Sequence, residues 1–478
     1  MNDIDYLKLL TTTSSLGAED GLASALFRPL SFGQLAAHIR RHQKSVPDAN
    51  SSGAMKLYIH MPYCASLCSY CHCTRFKLKN SAQLKQFVNR VKRQIHTLGP
   101  LFQKTQFRSF SFLGGTVPLL DTKSLDQVLK NVFLNFSFSQ DARLILEGHP
   151  QRLIPQKLEL AKHYGINQIS LGIQSMDAAV LKAINRNQTP EDVKRCIRNI
   201  KHFRFERIDA DIMAGLPHQT VTSFLKDIQT LIDWGIDIIH INPFCNITES
   251  QYSQCHAIDI SSLLVRRNTM ILKAKALLEK HGFLQKGFSG YQRSKAAIQE
   301  NEEQPVCPGN VLGLGMFAKS NLSGELLFED VPSSSDAPAS IRYKGYAIDR
   351  QYTMASYAQL HLLKGLKRPA FKLLFGQDIE SAFKKEFPLL LNAGLIVKDQ
   401  DTYRYSGPWT IHGLFDYYTY TKILLSRTLL RDLKHAHQKQ GVKNNYMPEQ
   451  SFVLRLLQDL SFVRTYYNLG QKTCWLSS

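Results

Sequence analysis

Residues 58–76 read YIHMPYCASLCSYCHCTRF, a run that begins as a strand and breaks into a loop with four cysteines inside ten positions. Cys64, Cys68 and Cys71 stand at C-x3-C-x2-C, and Cys73 follows two residues later. Three thiolates on one loop can hold three irons of a cubane and leave the fourth iron open to a chelating ligand. A closed zinc site wants four ligands, usually as two separated C-x2-C pairs. No second pair follows at zinc spacing, and Cys73 is too close to Cys71 to sit comfortably in the same tetrahedron. The spacing therefore points to a [4Fe-4S] cluster on Cys64, Cys68 and Cys71 rather than to zinc. The other five cysteines (196, 245, 255, 307 and 474) are scattered. One metal site in a reducing compartment accounts for this better than a disulfide framework.

Outward from the loop, short β-rich runs alternate with amphipathic helical stretches: KLYIHM (56–61), RSFSFL (108–113), RLILEG (143–148), NQISLGI (167–173), RIDADIM (207–213) and DIIHINP (237–243). Six βα units predict a parallel sheet with right-handed crossovers. Helices are expected over 81–98 and 189–203, the second opened by Thr189 as N-cap and Pro190 in the first turn. Residues 1–54 read as a helical extension ending in the linker VPDANSSGA (46–54), and 55–260 as the core domain. A Gly-rich region over 261–328 completes the core, and a Ser- and Pro-rich boundary leads into 341–478. Within that last segment, 371–407 has the helix, helix, strand-pair pattern of a winged helix.

A chain of 478 residues exceeds one ordinary domain, and 44% hydrophobic with 21% charged residues is the composition of a folded protein. No run approaches eighteen apolar residues, and MNDIDYLKLLTTTSS at the start lacks a basic region, apolar core and cleavage site. A cytoplasmic protein without a membrane span is expected. Lys and Arg number 59 against 39 Asp and Glu, a formal charge of +20 that favours anionic partners. Charge together with a winged-helix pattern also fits a nucleic-acid-binding protein with a structural metal site, but that reading leaves the strand-end polar residues unexplained and is not favoured.

The cysteine loop after the first strand, with aromatic Tyr70 before the third cysteine, resembles the radical S-adenosylmethionine (SAM) superfamily. Tyr58, His60, Pro62 and Cys73 narrow the resemblance to the oxygen-independent coproporphyrinogen III oxidase-like family, whose loop begins Tyr-x-His-x-Pro and carries C-x-C. The resemblance implies a partial (β/α)6 TIM-like barrel, a [4Fe-4S] cluster, one or two molecules of SAM, and oxidoreductase chemistry through a 5′-deoxyadenosyl radical. It assigns Gly114, Gly115 and Thr116 of LGGTVP (113–118) to the methionyl end of SAM, although Leu113 and Val117 replace the family's first glycine and its proline. By the same resemblance Tyr58, Tyr70, Glu147, Gln174, Arg186, Asp211 and Cys245 contact cofactor, and Cys73 is the catalytic candidate.

The implied partners are a one-electron reductant such as flavodoxin or ferredoxin and an anionic substrate of the porphyrinogen or haem class. The oxidase's Arg-Tyr-Thr-Ser-Tyr-Pro segment has no counterpart in 1–55, and its Asn-Phe-Gln-Gly-Tyr stretch is replaced by EEQPVCPGNVLGLG. These departures count against authentic coproporphyrinogen oxidation. They leave methyl or C1 transfer and haem breakdown as alternatives within the family.

Overall fold

The computed structural model describes residues 27–45, 55–71, 73, 75–244, 260–286, 289–294, 310–322, 326–330, 343–348, 350–362, 365–384, 386–392 and 396–405. They fall into two compact units, Pro29–Ala347 and a smaller one containing the segment from Ile348 onward.

In the larger unit all six expected core strands are present: β1 (Met55–Met61), β2 (Gln106–Gly114), β3 (Ser137–Gly148), β4 (Gln168–Gln174), β5 (Arg207–Ala214) and β6 (Ile238–Pro243). They pair in chain order, each parallel to the next, within a thirteen-stranded sheet. The intervening helices include α1 (Ser81–Leu98), α2 (Thr122–Asn135), α3 (Pro155–His163), α4 (Ala178–Ala183), α5 (Pro190–His202) and α6 (Val221–Asp233). Local chemistry sets their starts. Asn80 Oδ1 accepts from Gln83 N at the head of α1, and Thr189 with Asp192 forms a reciprocal capping box on α5.

Successive strand residues point to opposite faces, so each strand divides into two sets. Leu57, Ile59, Phe110, Phe112, Leu146, Ile169, Leu171, Ile208, Ala210, Ile239 and Ile241 are buried. Helix side chains cover this set: the Phe87 ring of α1 stacks 6.4 Å from Phe112, and Phe133 of α2 meets Phe110 edge-on at 5.9 Å. The alternate set is largely polar, and register aligns it across strands. Tyr58 faces Ser111, Glu147 faces Ser170, Gly172 faces Asp211, and Asp211 faces His240. One face of the sheet is therefore a polar floor built from six neighbouring strands.

The Gly-rich region contributes strands. Phe283–Lys286 and Gly290–Arg293 form a hairpin that pairs antiparallel to β6. Val311–Gly315 joins the other side, parallel to β1, and is followed by Lys319–Leu322, Leu326–Asp330 and Tyr343–Ile348 in antiparallel order. Close backbone approach requires the glycines: a Cβ on Gly315 (φ +90°) would lie 2.3 Å from the His60 carbonyl oxygen. Strand and helix also occupy part of the expected amino-terminal extension, as Phe27–Leu30 and Phe32–Ser45. Tyr343–Ile348, expected beyond the core domain, belongs to the large sheet.

The smaller unit has helices Arg350–Leu362, Arg368–Phe375, Ile379–Ala382 and Glu386–Asn392, with an antiparallel sheet of Leu366–Lys367, Thr402–Tyr405 and Ile396–Asp399. This is the winged-helix arrangement. Its core is aromatic, with Phe371, Phe383, Phe387 and Tyr403 buried and the last two rings edge-on at 5.0 Å. Residues 406–478 of the expected carboxyl-terminal domain lie outside the described residues. No described helix is long and apolar enough to cross a membrane.

Candidate functional site

The cysteine loop is closed on itself and anchored at both limbs. Tyr63–Cys64 pairs parallel with Phe76–Lys77, with Phe76 N donating to Pro62 O (2.7 Å) and Leu78 N to Cys64 O (2.8 Å). The opposite limb is fastened to the turn after α4: Ser69 N donates to Ile184 O (3.0 Å) and Asn185 Nδ2 to Leu67 O (2.9 Å). Arg75 bridges the loop from within, donating to the carbonyls of Cys68 (3.3 Å) and Cys73 (3.1 Å). Cys64, Cys68 and Cys71 are half-buried free thiols and Cys73 is exposed. Burial pushes the Cys64 thiol up to about 11, with the neighbouring Cys71 and Cys68 adding to it and Thr116 opposing. Arg75 and Arg186 bring positive charge to the three crowded thiols, and a cationic iron core would relieve the desolvation and mutual repulsion that still raise Cys64.

The glycine turn at the end of β2 lies directly against this loop. Gly115 N donates to Met61 O (2.5 Å) and Thr116 N to Tyr63 O (2.9 Å). A Cβ on Gly115 would sit 2.6 Å from Tyr63 O and 2.9 Å from Cys64 Sγ. Gly114 adopts φ +130° and donates its N–H to Glu147 Oε2 (2.7 Å). Enclosure pushes the Glu147 carboxyl up to about 8, and the Asp211 carboxylate adds to the shift. Tyr58 Oη lies 2.5 Å from His60 Nδ1 on the same polar face.

Arg186 reaches the loop from the other side. It donates to the Gly172 carbonyl, to Gln188 Oε1 (3.0 Å) and toward Cys68 Sγ (3.7 Å). Gly172 makes room for it, since a Cβ there would stand 3.2 Å from both Arg186 Nη2 and Gln174 Nε2. Gln174 itself takes φ 70°, unusual for a residue with a side chain, where β4 ends. Asp211 is held by Ser170 Oγ and Asn242 Nδ2, each at 3.2 Å. Burial raises its pKa, with Asp209 adding to the effect while His240 opposes it. Tyr70 packs against an apolar cluster of Val180, Leu181, Ile184, Met213, Leu216, Phe244 and Leu263, which positions the loop rather than extending the polar floor. Cys245 lies outside the described residues.

The structure thus brings together beside the cysteine loop Tyr58, Gly114, Gly115, Thr116, Glu147, Gln174 and Asp211, from five strands and the turn after β2, and Arg186, from the segment after α4. Sequence reasoning missed Arg75, Ser170, Gly172, Gln188 and Asn242, which hold the named residues in place. Ser170 and Gly172 carried a usable signal, since both stand at even spacing from Gln174 on the same strand; Asn242 lies on a strand from which no residue was singled out. Arg75 acts through backbone carbonyls and Gln188 links Arg186 to the Ile173 carbonyl, contacts that leave no sequence pattern.

Residues 58–231 match the family model described as Radical SAM superfamily. The chain is 25% identical over 331 residues to the oxygen-independent coproporphyrinogen III oxidase of Pseudomonas aeruginosa, covering 63% of this chain and 69% of that protein. It is 23% identical over 365 residues to the haem chaperone HemW of Buchnera aphidicola, covering 73% and 93% respectively. The solved structure of coproporphyrinogen III oxidase (HemN) from Escherichia coli shares the fold, with TM-score 0.69 and 17% identity over 80% of this chain and 93% of that one. The six-stranded parallel core, the three-cysteine loop and these matches identify residues 58–231 as a radical SAM domain, in a chain similar both to oxygen-independent coproporphyrinogen III oxidases and to the haem chaperone HemW.

Proposed function

We propose that this chain cleaves SAM reductively at a cluster held by Cys64, Cys68 and Cys71 and acts on a tetrapyrrole that bears carboxylate side chains. The cluster and SAM together supply one kind of chemistry, generation of a 5′-deoxyadenosyl radical able to take hydrogen from a substrate C–H bond. The chain's own residues do the rest. Gly114 and Gly115 keep the turn free of side chains so that backbone can approach the methionyl end of SAM. Arg186 offers a planar guanidinium to a carboxylate. Glu147 and Asp211, both raised in pKa by enclosure, are relieved by a sulfonium cation and accept from ribose hydroxyls. The polar floor positions the reacting carbon, and the apolar outer layer excludes water from it.

The observation that carries this reading is the meeting of the Gly115 turn with Cys64 Sγ on one side and Glu147 on the other. A cluster ligand, a side-chain-free cradle and a buried acid are joined by hydrogen bonds through a single turn. Anaerobic reconstitution followed by chromatography for 5′-deoxyadenosine tests it. Turnover with reductant and SAM is expected, and a reconstituted protein with four irons that releases none overturns it.

A second reading concerns use rather than chemistry. The alignment spans 93% of the haem chaperone, and the oxidase's Arg-Tyr-Thr-Ser-Tyr-Pro segment has no counterpart in 1–55, which together support haem binding. Separate titrations with haem and coproporphyrin discriminate. Saturable binding of haem without conversion of coproporphyrinogen supports the chaperone-like role. The absence of any spectral change or stimulation of SAM cleavage with either removes the tetrapyrrole.

A further inference from the structure

Between Asp48 and Asp121 the chain has no acidic residue, while Lys56, Arg75, Lys77, Lys79, Lys85, Arg90, Lys92, Arg93, Lys104 and Arg108 all fall in that interval. The cysteine loop lies inside this interval, the longest stretch of the chain without an acidic residue. Some of the charge is compensated from elsewhere. Arg90 pairs with Asp330, and Arg108 with Asp141 (2.6 Å). Lys77 and Lys79 are different: both are exposed, and among the described residues no carboxylate pairs with either.

Their place in the fold matters more than their number. Lys77 is the direct register partner of Cys64, and Leu78 N donates to the Cys64 carbonyl (2.8 Å). A protein resting on Lys77 is therefore one hydrogen-bonded backbone step from a cluster ligand. Beside it, the Phe76 ring is 43% exposed and packs 5.5 Å from Phe317. Phe317 takes φ 62°, an uncommon conformation for a bulky side chain, in the turn between Val311–Gly315 and Lys319–Leu322. That turn is tied to the cysteine loop by Tyr63 Oη donating to Met316 Sδ (3.8 Å). The exposed Phe76 against the half-buried Phe317, with two cations alongside that pair with no carboxylate among the described residues, has the make-up of a small, transient docking patch.

We infer that the surface formed by Phe76, Lys77, Lys79 and Phe317 docks an acidic one-electron carrier protein and delivers its electron through the Cys64 strand. The inference rests on the cluster assignment made above. One electron leaves the carrier's reduced flavin or iron–sulfur centre, which is oxidised, and enters the cluster, which is reduced; no bond is formed or broken. Positive charge close to the point of entry accelerates encounter with an acidic partner and makes that encounter sensitive to salt.

The test uses the reconstituted full chain, reduced flavodoxin as an acidic carrier, and photoreduced deazariboflavin as an uncharged small reductant. Lys77→Glu/Lys79→Glu should slow cluster reduction by flavodoxin roughly tenfold or more at low ionic strength, with the difference shrinking as salt is added. Reduction by deazariboflavin should stay within about twofold of the parent. Oxidised flavodoxin, which transfers no electron, should lose affinity for the same variant in a direct binding measurement. Equal slowing with both reductants, or no slowing with either, overturns the docking surface. Failure of the parent to accept an electron from either reductant instead sinks the cluster assignment. If the variant keeps its flavodoxin rate but loses retention of single-stranded RNA, the patch serves nucleic acid and the inference fails.

Discussion

Gly115→Ala is the sharpest perturbation the site offers. Unlike Gly114, Gly115 is not at positive φ, so alanine suffers no backbone penalty and the added methyl is the whole change. That methyl would lie 2.6 Å from Tyr63 O and 2.9 Å from Cys64 Sγ, where ordinary contact begins at 3.4 Å. One side must yield by about 0.8 Å, and neither is free to do so. Gly115 N is bonded to Met61 O, Thr116 N to Tyr63 O, and Cys64 is locked to Leu78. Overpacking of this kind costs about 1–3 kcal/mol, and here it falls on the cluster loop and the SAM cradle together. At about 1.4 kcal/mol per decade, SAM affinity should weaken roughly tenfold or more, and iron retained after anaerobic reconstitution should drop. The control is Gly33→Ala, with nothing within 4 Å of the new methyl on helix Phe32–Ser45, where alanine should be neutral or stabilise by up to about 1 kcal/mol. Isothermal titration with SAM and iron analysis check both variants. Parental iron content with a SAM affinity inside roughly twofold in Gly115→Ala would refute the steric argument.

Replacing Cys64, Cys68 or Cys71 with Ala should abolish cluster absorbance, whereas Cys73→Ala, at an exposed position, should keep it; a Cys64→Ala protein with full iron is the adverse result. Arg186→Ala and Asp211→Ala should retain the cluster but lose SAM-dependent 5′-deoxyadenosine, measured by chromatography, and unchanged cleavage in both removes them from the site. Asp227 provides a pH test away from the site. Burial pushes its carboxyl up to about 6 although Ser175 Oγ (2.8 Å) and Met176 N (3.1 Å) both donate to it. A raised acid pKa means the folded state binds the extra proton, so stability declines as pH rises from near 4 through 6, by about 3 kcal/mol in all. Asp227→Asn keeps an acceptor for both donors and should flatten that decline in denaturant titrations at several pH values; an unchanged pH dependence would contradict it.

Much of the architecture was legible because it is encoded locally. The C-x3-C-x2-C spacing is a property of one loop, the six strands show period-2 alternation or continuous apolar runs, and Thr189-Pro190 caps its helix through atoms three residues apart. Several site residues were reached only by resemblance, and the structure supplies their physical setting: Glu147 answers the Gly114 N–H, and Arg186 answers the Gly172 carbonyl. The extension of the sheet was not legible. GNVLGLGM reads only as Gly-rich, yet Val311–Gly315 pairs with residues 56–60, some 255 positions earlier. Strand pairing at that distance depends on the partner's backbone, and Gly313 and Gly315 are there because Lys319 and His60 carbonyls come too near for a Cβ.

The sequence by itself determined the cluster loop, the six core strands and the helices at 81–98 and 189–203, since each depends on residues within about one turn or one alternation of each other. Tertiary structure alone decided which polar side chains share the floor. Ser170, Asp211 and Asn242 come from three strands and meet only because parallel register aligns them; a one-residue slip in β5 would turn Asp211 into the helix layer and bring Ile212 to the floor.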